Sequence, residues 1–577
     1  MKNVKNYRPV TLINADYKLI SGCVAARLGG VLPSLIHPDQ TGVPGRRIAD
    51  GIHIVSDVIE YCEREEVCGA IVSLDQEKCF DRVDHGFMFK VLAKYGFGPA
   101  FIGLVKSFYA GATSKVLVNG IFSEEIQLGR GVRQGDPPSS LLYVLTAEVL
   151  ASVIRNDQRI VGITVNGVEK KIGGYADDTQ GFLSTDASVQ RFLTLVRGFG
   201  AASGSKLNTD KSEGLWLGPW RARTGLIHGL NWKDKIRILG VWLGRGDLVG
   251  ANLQTPYEIV RARLRAWGGR PLSTLSKVRV ANIFFFSSLW YRTEVIDPVE
   301  ASRGNIPGYG EVEKEVGNWL FRGRRHEVSR DRLRDSYANG GAQLVDVADK
   351  VRTQRVLWLV RLLSMPRDAF PRVLADALIG QQSGGYFGLD ALKGVEGGLS
   401  IRASGFYKGA IAAWLKLKPR YRYGSTPVDS YHLFYNRLIT DDHGRALKAM
   451  AIVPNRTVVT VQDLRDERAG INRDTPRLVR RSINRILAVV PDSSEGAEQP
   501  GFVLVVEGGG VLELAGAPFK EVYGSFRALT KVTRHYEAKW ETALNVALQG
   551  QWRGIWQTLH QSRASFKPGR LFRDRLV

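Results

Sequence analysis

Two adjacent carboxylates, Asp177 and Asp178, stand in the stretch Gly173-Gly174-Tyr175-Ala176-Asp177-Asp178-Thr179-Gln180-Gly181-Phe182-Leu183, between residues that read as two short strands. Tight strand-to-strand turns favour Asn-Gly or Asp-Gly, and like charges side by side repel. A doubled acid at such a junction is therefore either an exposed polar turn or a site for a divalent cation, whose preference for hard oxygen ligands suits Mg²⁺ or Mn²⁺. The pair alone leaves both readings open.

The flanking sequence places it in an α+β region. Residues 51–65 carry Ile52, Val55 and Ile59 at helical spacing, and residues 139–155 (SSLLYVLTAEVLASVIR) predict a buried helix opened by serine caps. Ala70-Ile71-Val72-Ser73-Leu74 is a β-rich run that ends at Asp75. Asn119-Gly120 and Asn166-Gly167, each between β-prone residues, predict tight hairpins and hence an antiparallel sheet. After about residue 250 the pattern turns helical and arginine-rich, through Tyr257 to Arg265 and Val351 to Leu363, while the glycine-rich residues 379–398 read as a linker or loop.

Charge and composition narrow the partner. The 577 residues have room for roughly three or four domain-sized units, with 44% hydrophobic residues to fill their cores. Against 57 acids stand 80 Lys+Arg, a net charge of +23, which calls for a polyanion, RNA or DNA rather than a membrane. The four cysteines, Cys23, Cys62, Cys68 and Cys79, lack the Cys-x-x-Cys spacing of a zinc site and read as buried thiols in a reducing compartment. No signal-peptide core follows Met1, and no apolar run approaches the length of a membrane span. The expectation is a soluble, intracellular protein.

Template-directed phosphoryl transfer uses two metal ions about 3.5 to 4 Å apart, bridged by carboxylates. Asp75 at one strand end and Asp177 in a turn are distant in sequence but can meet across neighbouring strands. Phe80, five positions after Asp75, is either a core residue or the floor of a nucleotide pocket that excludes a ribose 2′-hydroxyl. Asp81, Asp84 and His85 read as a helix-start cap and polar neighbours. Gly129-Arg130-Gly131-Val132-Arg133-Gln134-Gly135-Asp136-Pro137-Pro138-Ser139-Ser140 is a flexible loop before a helix start, able to approach a base pair and turn backbone N–H groups to phosphate. Residues 401–428 interleave Lys/Arg with Phe406, Tyr407, Trp414, Tyr421 and Tyr423. They read as a core helix with a basic outer face rather than as a surface stacking single-stranded RNA.

From Tyr7 to Gly244 the order of segments resembles the reverse transcriptase of LINE-type non-LTR retrotransposons. The resemblance rests on Asn6-Tyr7-Arg8-Pro9-Val10-Thr11-Leu12, His37-Pro38-Asp39-Gln40-Thr41-Gly42, Asp75 with Phe80-Asp81, Arg133-Gln134-Gly135-Asp136-Pro137, Tyr175-Ala176-Asp177-Asp178, Lys206-Leu207-Asn208 with Lys211-Ser212, and Ile238-Leu239-Gly240-Val241. It implies a right-hand polymerase fold, with fingers and palm over residues 1–250, a helical thumb and connection over 251–365, and a basic, mainly helical region over 366–577. It implies an RNA-directed DNA polymerase that takes dNTPs, an RNA template (the element RNA) and a DNA primer, with two Mg²⁺ ions, Mn²⁺ being an alternative. By the same resemblance Asp75, Asp177 and Asp178 form the acidic metal site and Phe80 the sugar gate. Arg8 faces the triphosphate; Arg133, Gln134 and Gly135 support the template and nascent pair; Lys211 protonates departing pyrophosphate.

The chain departs from the family's Pro-Leu-Ser-Pro at Pro137-Pro138-Ser139-Ser140. The family's upstream endonuclease and downstream cysteine/histidine module are not among these 577 residues, so the expectation is a truncated copy. Two other readings are a catalytically inactive remnant that binds RNA and an RNA-dependent RNA polymerase. Phe80 speaks against the second.

Overall fold

The computed structural model describes residues 10–530 apart from 224–228, 297–308, 322–329, 338–340, 442, 449–458, 470–482 and scattered positions between 484 and 509. The chain divides into two compact units, Met1–Gly246 and Asp247–Val577. In the first, α1 (Ala15–Leu35) and α2 (Ile48–Arg64) precede β1 (Gly69–Leu74), and α3 (Cys79–Arg82), α4 (His85–Lys94) and α5 (Pro99–Tyr109) follow it. Next, β2 (Thr113–Ser114), β3 (Leu117–Val118), β4 (Ile121–Phe122) and β5 (Ile126–Gln127) form nested antiparallel ladders, β3 with β4 inside β2 with β5. The rest comprises α6 (Ser139–Asn156), the hairpin β6 (Ile163–Val165) and β7 (Val168–Lys170), β8 (Ile172–Tyr175), β9 (Asp178–Leu183), α7 (Asp186–Ser203), β10 (Glu213–Leu217), β11 (Asn231–Trp232) and the hairpin β12 (Lys235–Ile238) and β13 (Val241–Gly244).

Five strands make the central sheet, in the order β11-β10-β1-β9-β8, with β1 antiparallel to both its neighbours. Ala70, Ile71 and Val72 are fully buried, which is why β1 reads as a continuous apolar run rather than an alternating one. Ala70, Val72 and Leu74 pack with Leu150 and Ile154 of α6 and Val189 and Phe192 of α7. A second core joins Leu28 and Leu32 of α1, Met88 and Leu92 of α4, and Leu142 and Leu145 of α6. Both Asn-Gly turns form with φ > 0 at their two central residues, 50° and 83° at Asn119-Gly120 and 45° and 82° at Asn166-Gly167, the twist that antiparallel hairpins prefer.

The serine capping of residues 139–155 does not form. Pro138 is the N-cap, already close to helical at φ −78° and ψ −13° with no side-chain cap, so Ser139 and Ser140 lie inside the first turn. Of the cysteines, Cys62 and Cys79 are buried as expected, but Cys68 is half-buried and Cys23 exposed, and all four are free thiols.

In the second unit, Leu248–Trp267, Tyr309–Leu320 and Val347–Ser364 are helices around a core that includes Leu253, Tyr257, Val316 and Val351. Further along, helices Phe370–Ile379 and Gly405–Leu417 accompany a three-stranded antiparallel sheet of Arg420–Arg422, Gly501–Val505 and Val511–Glu513. The glycine-rich stretch is no linker. It folds into 3₁₀ turns Ser383–Gly385 and Gly388–Gly394 that bury Tyr386, Leu389 and Ala391, and Asp376 Oδ1 accepts the Leu389 N–H at 2.7 Å. Glycine content masked the apolar spacing of Tyr386, Leu389 and Leu392. Phe406, Tyr407, Trp414 and Tyr423 are buried, which makes them core. No helix among the described residues is long and apolar enough to cross a membrane.

Candidate active site

The sheet register carries the acids to one end. Leu74 pairs with Thr179 across β1 and β9, and Tyr175 pairs with Asp178 across β8 and β9, so Asp75, just beyond β1, lies beside the β8–β9 turn. That turn is Ala176-Asp177, with Ala176 at φ 53°. Asp177 sits in the turn as expected; Asp178 is instead the first residue of β9. Fully buried Tyr143 senses the group: burial, then the charges of Cys79, Asp177 and Asp178, push its hydroxyl well above its ordinary pKa.

Neutral donors hold the two outer acids. Asn208 Nδ2 donates to Asp75 Oδ2 at 2.9 Å, the Asn208 N–H donates to the Asp75 carbonyl at 2.9 Å, and the Asp75 N–H donates to Ser212 Oγ at 3.2 Å. The Cys79 thiol donates to Asp177 Oδ2 at 3.0 Å. Among the described residues neither Asp75 nor Asp177 is ion-paired with a lysine or arginine, although the chain carries a large excess of cations.

A clamp fixes the turn from behind. Buried Gln40 accepts the Ala176 N–H at 2.7 Å and the Gly42 N–H at 2.9 Å through Oε1, and donates through Nε2 to the Ala176 carbonyl at 3.3 Å. The Gly174 carbonyl accepts the Thr41 N–H at 2.7 Å, and the Gly174 N–H donates to the Asp39 carbonyl at 2.9 Å. A Cβ on Gly42 would lie 2.6 Å from the Ala176 nitrogen, so only glycine allows this approach. Asp39 is anchored by Lys170 and His37; burial raises its carboxyl, but the charges and hydrogen bonds of Lys170 and His37 together overcome that cost and hold it far below the usual range.

Next to the acids lies a cleft of about 320 Å³, lined among others by Cys79, Phe80, Asp81, Arg133, Gln134 and Gly135. Phe80 stacks on Tyr143 with ring centroids 5.0 Å apart. The Phe80 carbonyl accepts the Val132 N–H at 2.7 Å, tying the glycine-rich loop to the start of α3. Arg133 donates to the Tyr17 hydroxyl at 2.9 Å and lies over the Tyr17 and Tyr109 rings, 5.3 and 5.7 Å from their centroids. The Tyr17 hydroxyl in turn donates to Asp136 Oδ2 at 2.8 Å. Asp84 caps α4 by accepting the Phe87 N–H at 2.7 Å, as expected, while Asp81, read as structural, also lines the cleft.

Gly131, at φ 89°, brings the loop against α3, where a Cβ would sit 2.8 Å from the Asp81 carbonyl oxygen. Gly131→Ala should therefore destabilise the first unit by about 1–3 kcal/mol, read as a lower denaturant midpoint in urea. An unchanged midpoint would show that the loop can shift away from α3 at no cost.

The structure thus brings together Asp75, Asp177 and Asp178 at one sheet end and Phe80, Arg133, Gln134 and Gly135 around the cleft, with Cys79 touching both groups. Lys211 is exposed in the turn that follows Asn208, one residue from the Ser212 that holds Asp75. Arg8 lies outside the described residues. Sequence reasoning assigned no role to Cys79, Gln40, Asn208, Ser212 or Tyr17, whose contacts with the site span between 98 and 137 positions. Gln40, Asn208 and Ser212 do stand in segments that carry the family resemblance, but their contacts have no local signal.

The donor set fits Mg²⁺ or Mn²⁺: hard carboxylate oxygens, the outer two held by neutral partners. Their side chains are directed to Asn208 and Cys79, and among the described residues no three His, Cys, Asp or Glu side chains converge as a single ligand group.

Residues 1–243 match the family described as reverse transcriptase (RNA-dependent DNA polymerase). Over 372 residues, 63% of this chain and 28% of the relative, the sequence is 32% identical to the transposon TX1 uncharacterized 149 kDa protein of Xenopus laevis. It is 28% identical over 36% of this chain and 20% of the relative to a retrovirus-related Pol polyprotein from the type-2 retrotransposable element R2DM of Drosophila melanogaster. It is 26% identical over 51% of this chain and 33% of the relative to the RNA-directed DNA polymerase from mobile element jockey of the same fly. The matched part spans between a fifth and a third of these relatives' lengths.

Proposed function

We propose, from the premise that residues 1–243 are a reverse transcriptase domain of the non-LTR retrotransposon type with its right-hand polymerase fold, that this chain extends a DNA primer on an RNA template with dNTPs. The observation that carries the reading is the register that sets Asp75 beside the Ala176-Asp177 turn, next to the cleft of Phe80 and Arg133.

In-line phosphoryl transfer leaves the protein little covalent chemistry; positioning and electrostatics dominate. Asp75, Asp177 and Asp178 are the residues to hold two divalent ions, which when bound supply an activated primer oxygen and offset charge on the phosphates. Phe80, which stacks on Tyr143, is the residue to meet the sugar and turn away a 2′-hydroxyl. Arg133, fixed by Tyr17 and Tyr109, presents a rigid cationic surface to the nascent pair, with Gln134 and Gly135 on the same wall. Lys211 is the proton donor to pyrophosphate and Arg8 the contact to the triphosphate. Residues 1–250 act as fingers and palm, 251–365 as thumb, and the basic 366–577 region extends the grip on the element RNA, through backbone contacts whose strength falls with salt.

The test is extension of a DNA primer on a heteropolymeric RNA template, with the product sequenced. DNA complementary to the template is the expected product, and untemplated tails alone would overturn the reading. In the same assay Phe80→Val should raise ribonucleotide incorporation relative to deoxynucleotide by about 10-fold or more, since a site built to exclude one group loses its discrimination once the clash is gone. An unchanged ratio would remove Phe80 from the gate.

A further inference from the structure

The second unit carries a cleft of its own, about 360 Å³, between helix Phe370–Ile379, the 3₁₀ turn Gly388–Gly394 and the edge of the three-stranded sheet. Arg367, Arg372 and Lys393 line it, and the one acid among its lining residues is Asp390. Asp390 lies at the centre of the three cations, 3.0 Å from Lys393 Nζ, 3.3 Å from Arg367 Nη2 and 3.7 Å from Arg372 Nη2. Arg372 is held further by Asp376, whose Oδ2 accepts from its Nε at 3.3 Å, and by the Leu362 carbonyl at 3.2 Å, whereas the five donors of Arg367 and the three of Lys393 outnumber what Asp390 can accept. Three cations stand against two carboxylates, Asp390 and Asp376, and the donors left over on Arg367 and Lys393 carry the excess positive charge beside the cleft. Burial first, then the Lys393 charge, lower the His432 imidazole to about 4, with Asp390 acting in the opposite direction.

The wall beside Lys393 is aromatic. Tyr421 and Phe502 meet edge to face with centroids 4.9 Å apart, and Lys393 Nζ sits 5.0 Å from the centre of the Tyr421 ring. Cations beside an aromatic surface match a phosphate with a sugar or base attached. Arg367, with 79% of its side chain exposed, stands at the mouth, where a phosphate of a continuing strand would pass.

We infer that this cleft binds one nucleotide of single-stranded nucleic acid, its phosphate between Arg367 and Lys393 and its sugar or base against Tyr421 and Phe502. The site shares no residue with the acids of the first unit and does not depend on the polymerase reading.

The experiment is photo-crosslinking of a 4-thiouridine-labelled oligouridylate trinucleotide to the full chain, with the labelled peptides mapped. We expect a crosslink within residues 420–423 or 500–502, undiminished in Asp177→Asn. It should fall at least 5-fold in Arg367→Glu, whose side chain is on the surface, and in Lys393→Met, with unchanged melting temperature showing that each variant is folded. Crosslinks confined to residues 1–246, or equal yield from folded Arg367→Glu, would overturn the site. Competition by uridine monophosphate as strong as by unlabelled trinucleotide would overturn its assignment to a strand.

Discussion

Asp75→Asn is expected to lower primer extension on the order of 10³-fold, the scale seen when one preorganised electrostatic contact to a transition state is removed, with melting unchanged within about 2 °C. The surroundings of Asp75 explain why the two effects separate. Asn208 Nδ2 donates to one carboxylate oxygen, while the backbone N–H and carbonyl of Asp75 are bound by Ser212 and Asn208. An asparagine keeps both backbone bonds and can accept from Asn208 through its own carbonyl oxygen. What it loses is charge. The expected pattern is a fall in the rate at saturating dNTP, read by single-turnover extension, beside a superimposable melting curve. Retained activity would mean that Asp75 only terminates a strand.

Gln40→Leu is expected to act on the same site from outside it. The substitution leaves the half-buried Ala176 and Gly42 N–H groups without the acceptor that Gln40 Oε1 provides at 2.7 and 2.9 Å. A fully buried donor without an acceptor costs about 1–3 kcal/mol; for two half-buried donors the first unit should lose about 1–2 kcal/mol. Because Ala176 at φ 53° is a conformation that alanine adopts only under constraint, the released turn should relax and carry Asp177 with it. A displacement near 1 Å costs about 10²-fold in rate. Gln40 is a positioning residue, so kcat should fall by that factor while KM for dNTP changes far less. A loss of stability with kcat intact would restrict Gln40 to a structural part.

These two residues mark how far the sequence could be read. Asp75 was legible because an unbroken β-prone run ends on it, and the Asn-Gly pairs at 119–120 and 166–167 announced their hairpins by the one turn type that fits them. Asp177 was legible as a turn residue, but the turn takes Ala176 rather than Asp178 as its other member. Local preference would not choose alanine at positive φ, and Gln40, 136 positions away, is what enforces it. Arg133 was identified as cationic and near a loop, yet its lock on Tyr17 joins residues 116 positions apart. The glycine-rich 379–398 segment misled for the opposite reason: its glycines are local and obvious, while the burial of Tyr386 and Leu389 depends on partners such as Phe434, whose carbonyl accepts the Tyr386 hydroxyl at 3.0 Å. Patterns within one element are written in its own residues. Contacts that fix the site are shared between elements and have no local mark.

The most direct measurement is incorporation of dTTP into an oligo(dT) primer on poly(rA) by the full chain in Mg²⁺, run beside Asp177→Asn and beside the same enzyme with excess EDTA. The predicted result is processive incorporation by the unaltered chain that both the substitution and the chelator abolish. Incorporation no greater than that of Asp177→Asn would contradict it.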